Sequence, residues 1–205
     1  MLSSIISAIL LILAFPNFNL SFLAFIGFVP IFFAIENKSQ KKAFLISYAA
    51  GFIFYLGTLY WLYHVTTIGL IILCLYLAIY FGIFGIAVNR FGILIAPVAW
   101  VMLEYIQTHL PIMGFGWALL GYSQYRNIAL IQIADFAGVY GVSFVIMTVN
   151  AGIYMSFRSL ATEGGGRSNP TRRVVPSGAR NLIRLLRASP SQRLRRIASS
   201  TFSFL

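Results

Sequence analysis

One carboxyl stands well inside an apolar run long enough to cross a bilayer: Glu104, in the segment Phe91–Leu110. Acids at such depth are costly and by default mark a functional site. Gln107 lies three residues on and shares its helical face. Glu104 therefore reads either as a polar group facing a cavity, bonded to Gln107, or as a structural carboxyl hydrogen-bonded between helices. Asp135, near the end of the last apolar run, reads as a helix-terminal acid. Phe115, Trp117 and Tyr122 cluster in a glycine-rich stretch and are the candidates for the wall of an acyl-chain or headgroup cavity. Their other reading is an aromatic belt at the bilayer surface. Ser123, His109 and Asp135 are the residue types of a hydrolytic triad, but their spacing offers neither a nucleophile elbow nor an oriented base. The single cysteine, Cys74, excludes an internal disulfide and a cysteine-rich metal site, and a thiol amid Ile, Leu and Tyr is inert as a nucleophile. His64 and His109 are too few and too scattered for a histidine metal cluster. No catalytic, cofactor-binding or metal-binding set is assigned.

The elements that must position these residues are apolar helices. Hydrophobic residues make up 60% of the 205, charged residues only 9%, and mean hydropathy is +0.87. A soluble domain carries about 25% charged residues, so this composition cannot build a surface that faces water. An all-α integral membrane protein is predicted, a polytopic helical bundle of about six spans. Leu2–Phe15 and Leu20–Ile35 are short and joined by Pro16-Asn17-Phe18-Asn19, a turn-rich break, and read as a tight helical hairpin. Ala43–Tyr63, Ile68–Val88 and Phe91–Leu110 have the length of about 20 residues that crosses hydrocarbon. The last run, Ile128–Phe157, is long enough to tilt. Met1–Ala14 lacks the basic start and the small-residue cleavage site of a signal peptide and is read as a helix of the bundle.

Charge sets the orientation. Up to Phe157 there are five basic residues, Lys38, Lys41, Lys42, Arg90 and Arg126; from Arg158 onward there are ten, all arginine. With a cytoplasmic N-terminus, fourteen of these fifteen lie inside and only Arg126 outside, which is what the bias of Lys and Arg toward cytoplasmic loops requires. The outer face then holds the short loop after Trp61-Leu62-Tyr63-His64 and the stretch from Pro111 to Tyr125. The latter is too apolar for a simple loop and too rich in glycine for a helix, and is predicted to be re-entrant or interfacial.

Residues 158–205 belong to a different regime. Arginine, serine, glycine and proline replace the Ile, Phe, Tyr and Lys of the body, so residues 1–157 are assigned as a membrane domain and 158–205 as a disordered basic tail or the product of a shifted reading frame. Within it Arg180, Arg184 and Arg187 oppose Leu182, Leu185 and Leu186, the pattern of a basic amphipathic helix drawn to anionic lipid. Without aromatic interleaving, nucleic acid is not an expected partner.

Several segments, in order, resemble the membrane domain of the apolipoprotein N-acyltransferases. They are Leu13-Ala14-Phe15-Pro16-Asn17-Phe18-Asn19, Gly57-Thr58-Leu59-Tyr60-Trp61-Leu62-Tyr63, Glu104-Tyr105-Ile106-Gln107, Gly114-Phe115-Gly116-Trp117, Leu120-Gly121-Tyr122-Ser123-Gln124 and the run from Gln132 to Phe144 that contains Gly138-Val139-Tyr140-Gly141-Val142-Ser143. The resemblance spans roughly residues 10 to 155. It implies an enzyme of the bacterial inner membrane that moves an acyl chain from a phospholipid to the N-terminal amine of a diacylglyceryl-cysteine lipoprotein. In that family a nitrilase-like domain supplies a cysteine nucleophile, a glutamate base and a lysine, and needs no metal or cofactor. An outer loop of Phe-x-Trp type borders the lipid-facing cavity, so Phe115 and Trp117 become substrate-side residues by resemblance. The family has proline where this chain has Gly116, and arginine where it has Gln107. The nitrilase-like segment is absent from the 205 residues, so the expectation is a form inactive alone, its catalytic half encoded separately. The alternative is a non-catalytic membrane scaffold or lipid-binding subunit.

Overall fold

The structure, a computed structural model, describes residues 2–16, 18–111 and 113–164. Among these there is helix and no strand: α1 (Leu2–Ala14), α2 (Val29–Ile35), α3 (Gln40–Thr58), α4 (Thr67–Phe91), α5 (Ala96–His109), α6 (Ile128–Ile131) and α7 (Ala134–Gly164). Short 3-10 helices at Ser21–Phe25, Tyr60–His64, Ile93–Ile95 and Leu120–Gln124 link them. Two helices, α4 and α7 over Ala134–Ala161, are long and apolar enough to cross a membrane by length and composition. Lys41 and Lys42 in the first turn of α3 lower its hydropathy, and α1 and α5 are shorter, at 13 and 14 residues.

The predicted segments are helical over most of their length, but four of them differ in bounds or continuity. Leu20–Ile35 is divided: Ser21–Phe25 is a 3-10 helix, and α2 starts only at Val29. α3 begins at Gln40, since the lysines before the first apolar residue are good helix formers, and it ends at Thr58. Tyr60–His64 then tightens into a 3-10 helix instead of finishing the run predicted to Tyr63. The predicted span Phe91–Leu110 is broken at its start. Phe91 closes α4, Gly92 turns the chain at φ +90°, and α5 forms only from Ala96 with Pro97 in its first turn, where a missing N–H costs nothing. The last run is divided after Ile131, kinks at Gly138 (φ 63°), and then continues past Phe157 to Gly164. The expected change of regime at residue 158 is thus not a helix end. The expected amphipathic helix and disorder beyond residue 164 lie outside the described residues.

Packing follows from small residues and rings. α3 and α4 run antiparallel along a seam of Ala43, Ser47, Gly51, Gly82 and Gly85; a Cβ on Gly85 would lie 2.9 Å from the Ala43 carbonyl oxygen. Such close approach is how helices gain contact where hydrocarbon provides no hydrophobic driving force. At mid-height Trp100 receives Phe28, Phe81 and Phe84 edge-on, with ring centroids 4.7, 4.8 and 5.0 Å away.

Polar side chains satisfy the helix ends that water would serve elsewhere. Amides at the start of a helix have no partner within it. Phe28 N donates to Asn150 Oδ1 at 2.9 Å and Ile31 N to Ser7 Oγ at 3.0 Å. Asn150 Nδ2 also donates to the Ala24 carbonyl at 2.8 Å, so α7 is pinned to the N-terminal hairpin. Asn89 Nδ2 donates to the carbonyls of Ile35 and Lys38, closing the end of the bundle that carries Lys38, Lys41, Lys42, Arg90 and Arg158. At the opposite end lie Trp61, His64, His109, Trp117 and Arg126. The first is the lysine end of the bundle and the second its tryptophan end. Along α4 the exposed residues from Ile68 to Ile83 are Ile68, Ile71, Ile72, Leu75, Ile79 and Ile83, an apolar stripe with the spacing of one helical face.

Candidate functional site

At the tryptophan end the chain after α5 does not return at once to helix. Residues 110–111 and 113–119 are irregular and carry Phe115 and Trp117, and two side chains one turn apart on α5 hold the two sides of this loop. Gln107 holds the first. Its backbone carbonyl accepts from Phe115 N at 2.8 Å, its Nε2 donates to the Phe115 carbonyl at 3.2 Å, and its Oε1 accepts from Tyr55 OH at 3.1 Å. Glu104 holds the second. Its Oε1 accepts from Leu120 N at 2.7 Å and from Trp100 Nε1 at 3.0 Å. Gly121 N, the next amide, donates to Ser143 Oγ on α7 at 2.9 Å. Gly121 is needed at this junction, because a Cβ there would lie 2.6 Å from the Val139 carbonyl oxygen. Between the two anchors Ala118 adopts φ 61°, a left-handed conformation that a non-glycine residue enters only where its surroundings impose it.

The loop thus held closes a cleft of about 210 Å³ lined by Phe15, Pro16, Thr58, Leu59, Trp61, Trp117, Ala118 and Tyr122. Trp61 and Trp117 face each other with centroids 5.2 Å apart and planes tilted by 38°. Trp117 remains 58% exposed, a large aromatic surface left open at the mouth. The walls are mainly aromatic and aliphatic, with the Trp61, Trp117 and Tyr122 side chains bringing polar groups of their own. Thr58 adds a hydroxyl whose oxygen is buried without a hydrogen-bond partner. Tyr125 OH donates to Asn19 Oδ1 and Gln124 Nε2 to the Ser21 carbonyl at 2.8 Å, fixing the far wall to the turn of the hairpin.

The predicted site residues divide accordingly. Trp117 and Tyr122 line the cleft. Phe115 is half-buried, packed on the core behind it. Glu104 is 4% exposed and stands behind the loop, and Gln107 bonds to Phe115 and Tyr55 rather than to Glu104. The shared face was readable from the spacing; the use of each side chain to hold a different side of one loop was not. Nor could sequence single out Trp61 or Thr58 as wall residues, since they come from a helix end remote in the chain. The one visible signal was the Gly57–Tyr63 run.

Among the described residues the cleft is lined by no Ser, Cys or His side chain. Ser123 is 1% exposed and its hydroxyl donates to the Leu120 carbonyl at 2.7 Å. His109 is exposed and stacks on Tyr105 at 4.0 Å, with Nδ1 at the Thr108 hydroxyl and the Tyr105 carbonyl, so no triad is assembled. Cys74 is fully buried within α4. Among the described residues no three His, Cys, Asp or Glu side chains come together as metal ligands.

Comparison with known proteins agrees on one family. The family model for the apolipoprotein N-acyltransferase N-terminal domain matches residues 7–152. The apolipoprotein N-acyltransferase of Geobacter metallireducens is 40% identical over 177 residues, covering 78% of this chain and 34% of that protein. Apolipoprotein N-acyltransferase 1 of Treponema denticola is 28% identical over 162 residues, with 74% and 30% covered. The Rhodopirellula baltica apolipoprotein N-acyltransferase is 30% identical over 167 residues, with 72% and 29% covered. The chain therefore spans about a third of the length of these relatives.

Proposed function

The chain belongs to the apolipoprotein N-acyltransferase family, which it matches in the N-terminal domain, and from this we propose that residues 1–157 form the lipid-facing membrane half of a lipoprotein N-acyltransferase. The observation that carries the reading is the aromatic cleft of Phe15, Trp61, Trp117 and Tyr122, open at one end of an apolar bundle. A phospholipid acyl chain is its occupant, packed on these rings with the unpartnered Thr58 hydroxyl on the wall. Glu104 and Gln107 position the loop and do not touch the chain. The covalent steps belong to a nitrilase-like domain. There a cysteine thiolate attacks the phospholipid ester and expels the lyso-lipid, and the lipoprotein amine then displaces the thiolate from the thioester. Residues 1–157 supply the lipid side of that reaction.

Six apolar segments enter or cross the bacterial inner membrane in this reading, with the lysine end cytoplasmic and the tryptophan end outside. Lys38, Lys41, Lys42, Arg90 and Arg158 at one end against Arg126 at the other support the orientation. Maleimide added from the periplasm is expected to label Thr66→Cys, an exposed position at the tryptophan end, and not Ser39→Cys, exposed at the lysine end. Ser123, though on the same side as Thr66, is buried and unsuited to the experiment. Periplasmic labelling of Ser39→Cys would invert the model.

The cleft itself is tested with a phospholipid carrying a diazirine in its acyl chain. Irradiation of the reconstituted protein is expected to place adducts on Trp61, Trp117 or Tyr122. Substituting both Trp61 and Trp117 by alanine is expected to cut the adduct yield several-fold, because it removes the two facing rings at the mouth of the cleft. Adducts spread evenly over the exposed face of α4 would leave the cleft without a function.

A further inference from the structure

A second groove lies at the lysine end. α1 and α3 run side by side, and toward the tryptophan end they touch, Ile12 packing directly on Gly57. Toward the other end they part. The space between them, about 380 Å³, is lined by Ser4, Ile5, Lys38, Lys42, Leu45, Ile46, Ala49 and Ile53. Its floor is aliphatic and its mouth is basic. Neither lysine forms an ion pair among the described residues, and no acidic side chain lines the groove. Inside it Ser4 is 2% exposed, and its hydroxyl has no hydrogen-bond partner. A buried, unsatisfied hydroxyl costs free energy unless something occupies the site and accepts from it.

We propose that this groove holds an anionic phospholipid. One acyl chain lies against Ile46, Ala49 and Ile53, an ester carbonyl accepts from Ser4 Oγ, and the phosphate sits between Lys38 and Lys42. Charge complementarity decides the occupant. A zwitterionic headgroup would bring its own cation to two unpaired lysines, whereas a net negative one neutralises them. Two lysines at a membrane surface give a preference of roughly tenfold to thirtyfold for an anionic lipid. Lys41, on the next face of α3, lines a separate shallow groove with Gln40, Phe44, Leu45 and Ile86 and takes no part. The site rests on the bundle residing in a bilayer and is independent of acyl transfer at the tryptophan end.

The test reconstitutes the full chain into nanodiscs of phosphatidylethanolamine with either phosphatidylglycerol or cardiolipin, and reads retained lipid by native mass spectrometry after gentle extraction. At least one of the two anionic lipids is expected to be retained roughly tenfold over phosphatidylethanolamine. Which of them is retained identifies the headgroup. The Lys38→Gln/Lys42→Gln variant is expected to bring retention to parity with an unchanged melting temperature, while Lys41→Gln keeps the preference. Parity in the unaltered protein overturns the proposal. So does an equal loss in Lys41→Gln, which would reveal a general surface attraction. Failure to enter nanodiscs at all would instead count against the membrane reading itself.

Discussion

Replacing Glu104 with leucine is expected to destabilise the protein by about 3 kcal/mol, and replacing it with glutamine by less than about 1 kcal/mol. The asymmetry follows from what the carboxyl does. Its Oε1 is the acceptor for both Leu120 N and Trp100 Nε1, and all three residues are buried. Leucine strands two donors where no water can reach them, at about 1–3 kcal/mol each. Glutamine keeps an oxygen in the same place and puts an amide where Oε2 stood. Oε2 itself has no hydrogen-bond partner, so its replacement by an amide breaks no bond. Unfolding of the purified variants in detergent gives the numbers. Should glutamine prove as damaging as leucine, the charge of Glu104 would matter in itself, and its assignment as a loop anchor would be wrong.

The second expected result is an absence of turnover. Residues 1–205 expressed alone should produce no triacylated lipoprotein. A thioester mechanism needs an accessible, low-pKa thiol with a base in hydrogen-bond reach. The one thiol, Cys74, is fully buried in α4, facing the bundle core. Ser123 offers no substitute, since its hydroxyl is spent on the Leu120 carbonyl and His109 stacks elsewhere. Acyl chains are still expected to enter the cleft. Lipid binding without chemistry is therefore the predicted phenotype of this chain alone, and Cys74→Ala is expected to leave that binding unchanged.

The helical segments were legible because apolar runs set apart by the Pro16–Asn19 turn and by the stretch of Lys38, Lys41 and Lys42 leave few alternatives. The break after Phe91 had a visible signal in Arg90 and Gly92, and a count of apolar residues alone passed over it. The site was half legible. Trp117 and Tyr122 could be singled out as aromatics in a glycine-rich stretch, but a cleft needs its opposite wall, and Trp61 and Thr58 arrive there only through the antiparallel return of the chain. Gln107 shows the limit most sharply. Spacing placed it on the face of Glu104, whereas its hydrogen bonds go to Phe115 and Tyr55, partners fixed by tertiary structure. Asn150 was missed although its signal was present: an amide inside the last apolar run must find partners across helices, and it finds Ala24 and Phe28.

The most direct measurement joins residues 1–157 to the nitrilase-like domain of a relative and reads lipoprotein N-termini by mass spectrometry in a strain depleted of its own N-acyltransferase. The fusion is predicted to restore triacylated lipoprotein. The fusion carrying Trp61→Ala and Trp117→Ala is predicted to lose most of it while accumulating normally in the membrane, and residues 1–205 alone to give none. Triacylation by residues 1–205 alone, or a well-accumulated fusion that leaves lipoproteins diacylated, would contradict the assignment of this bundle as the lipid-binding half of the enzyme.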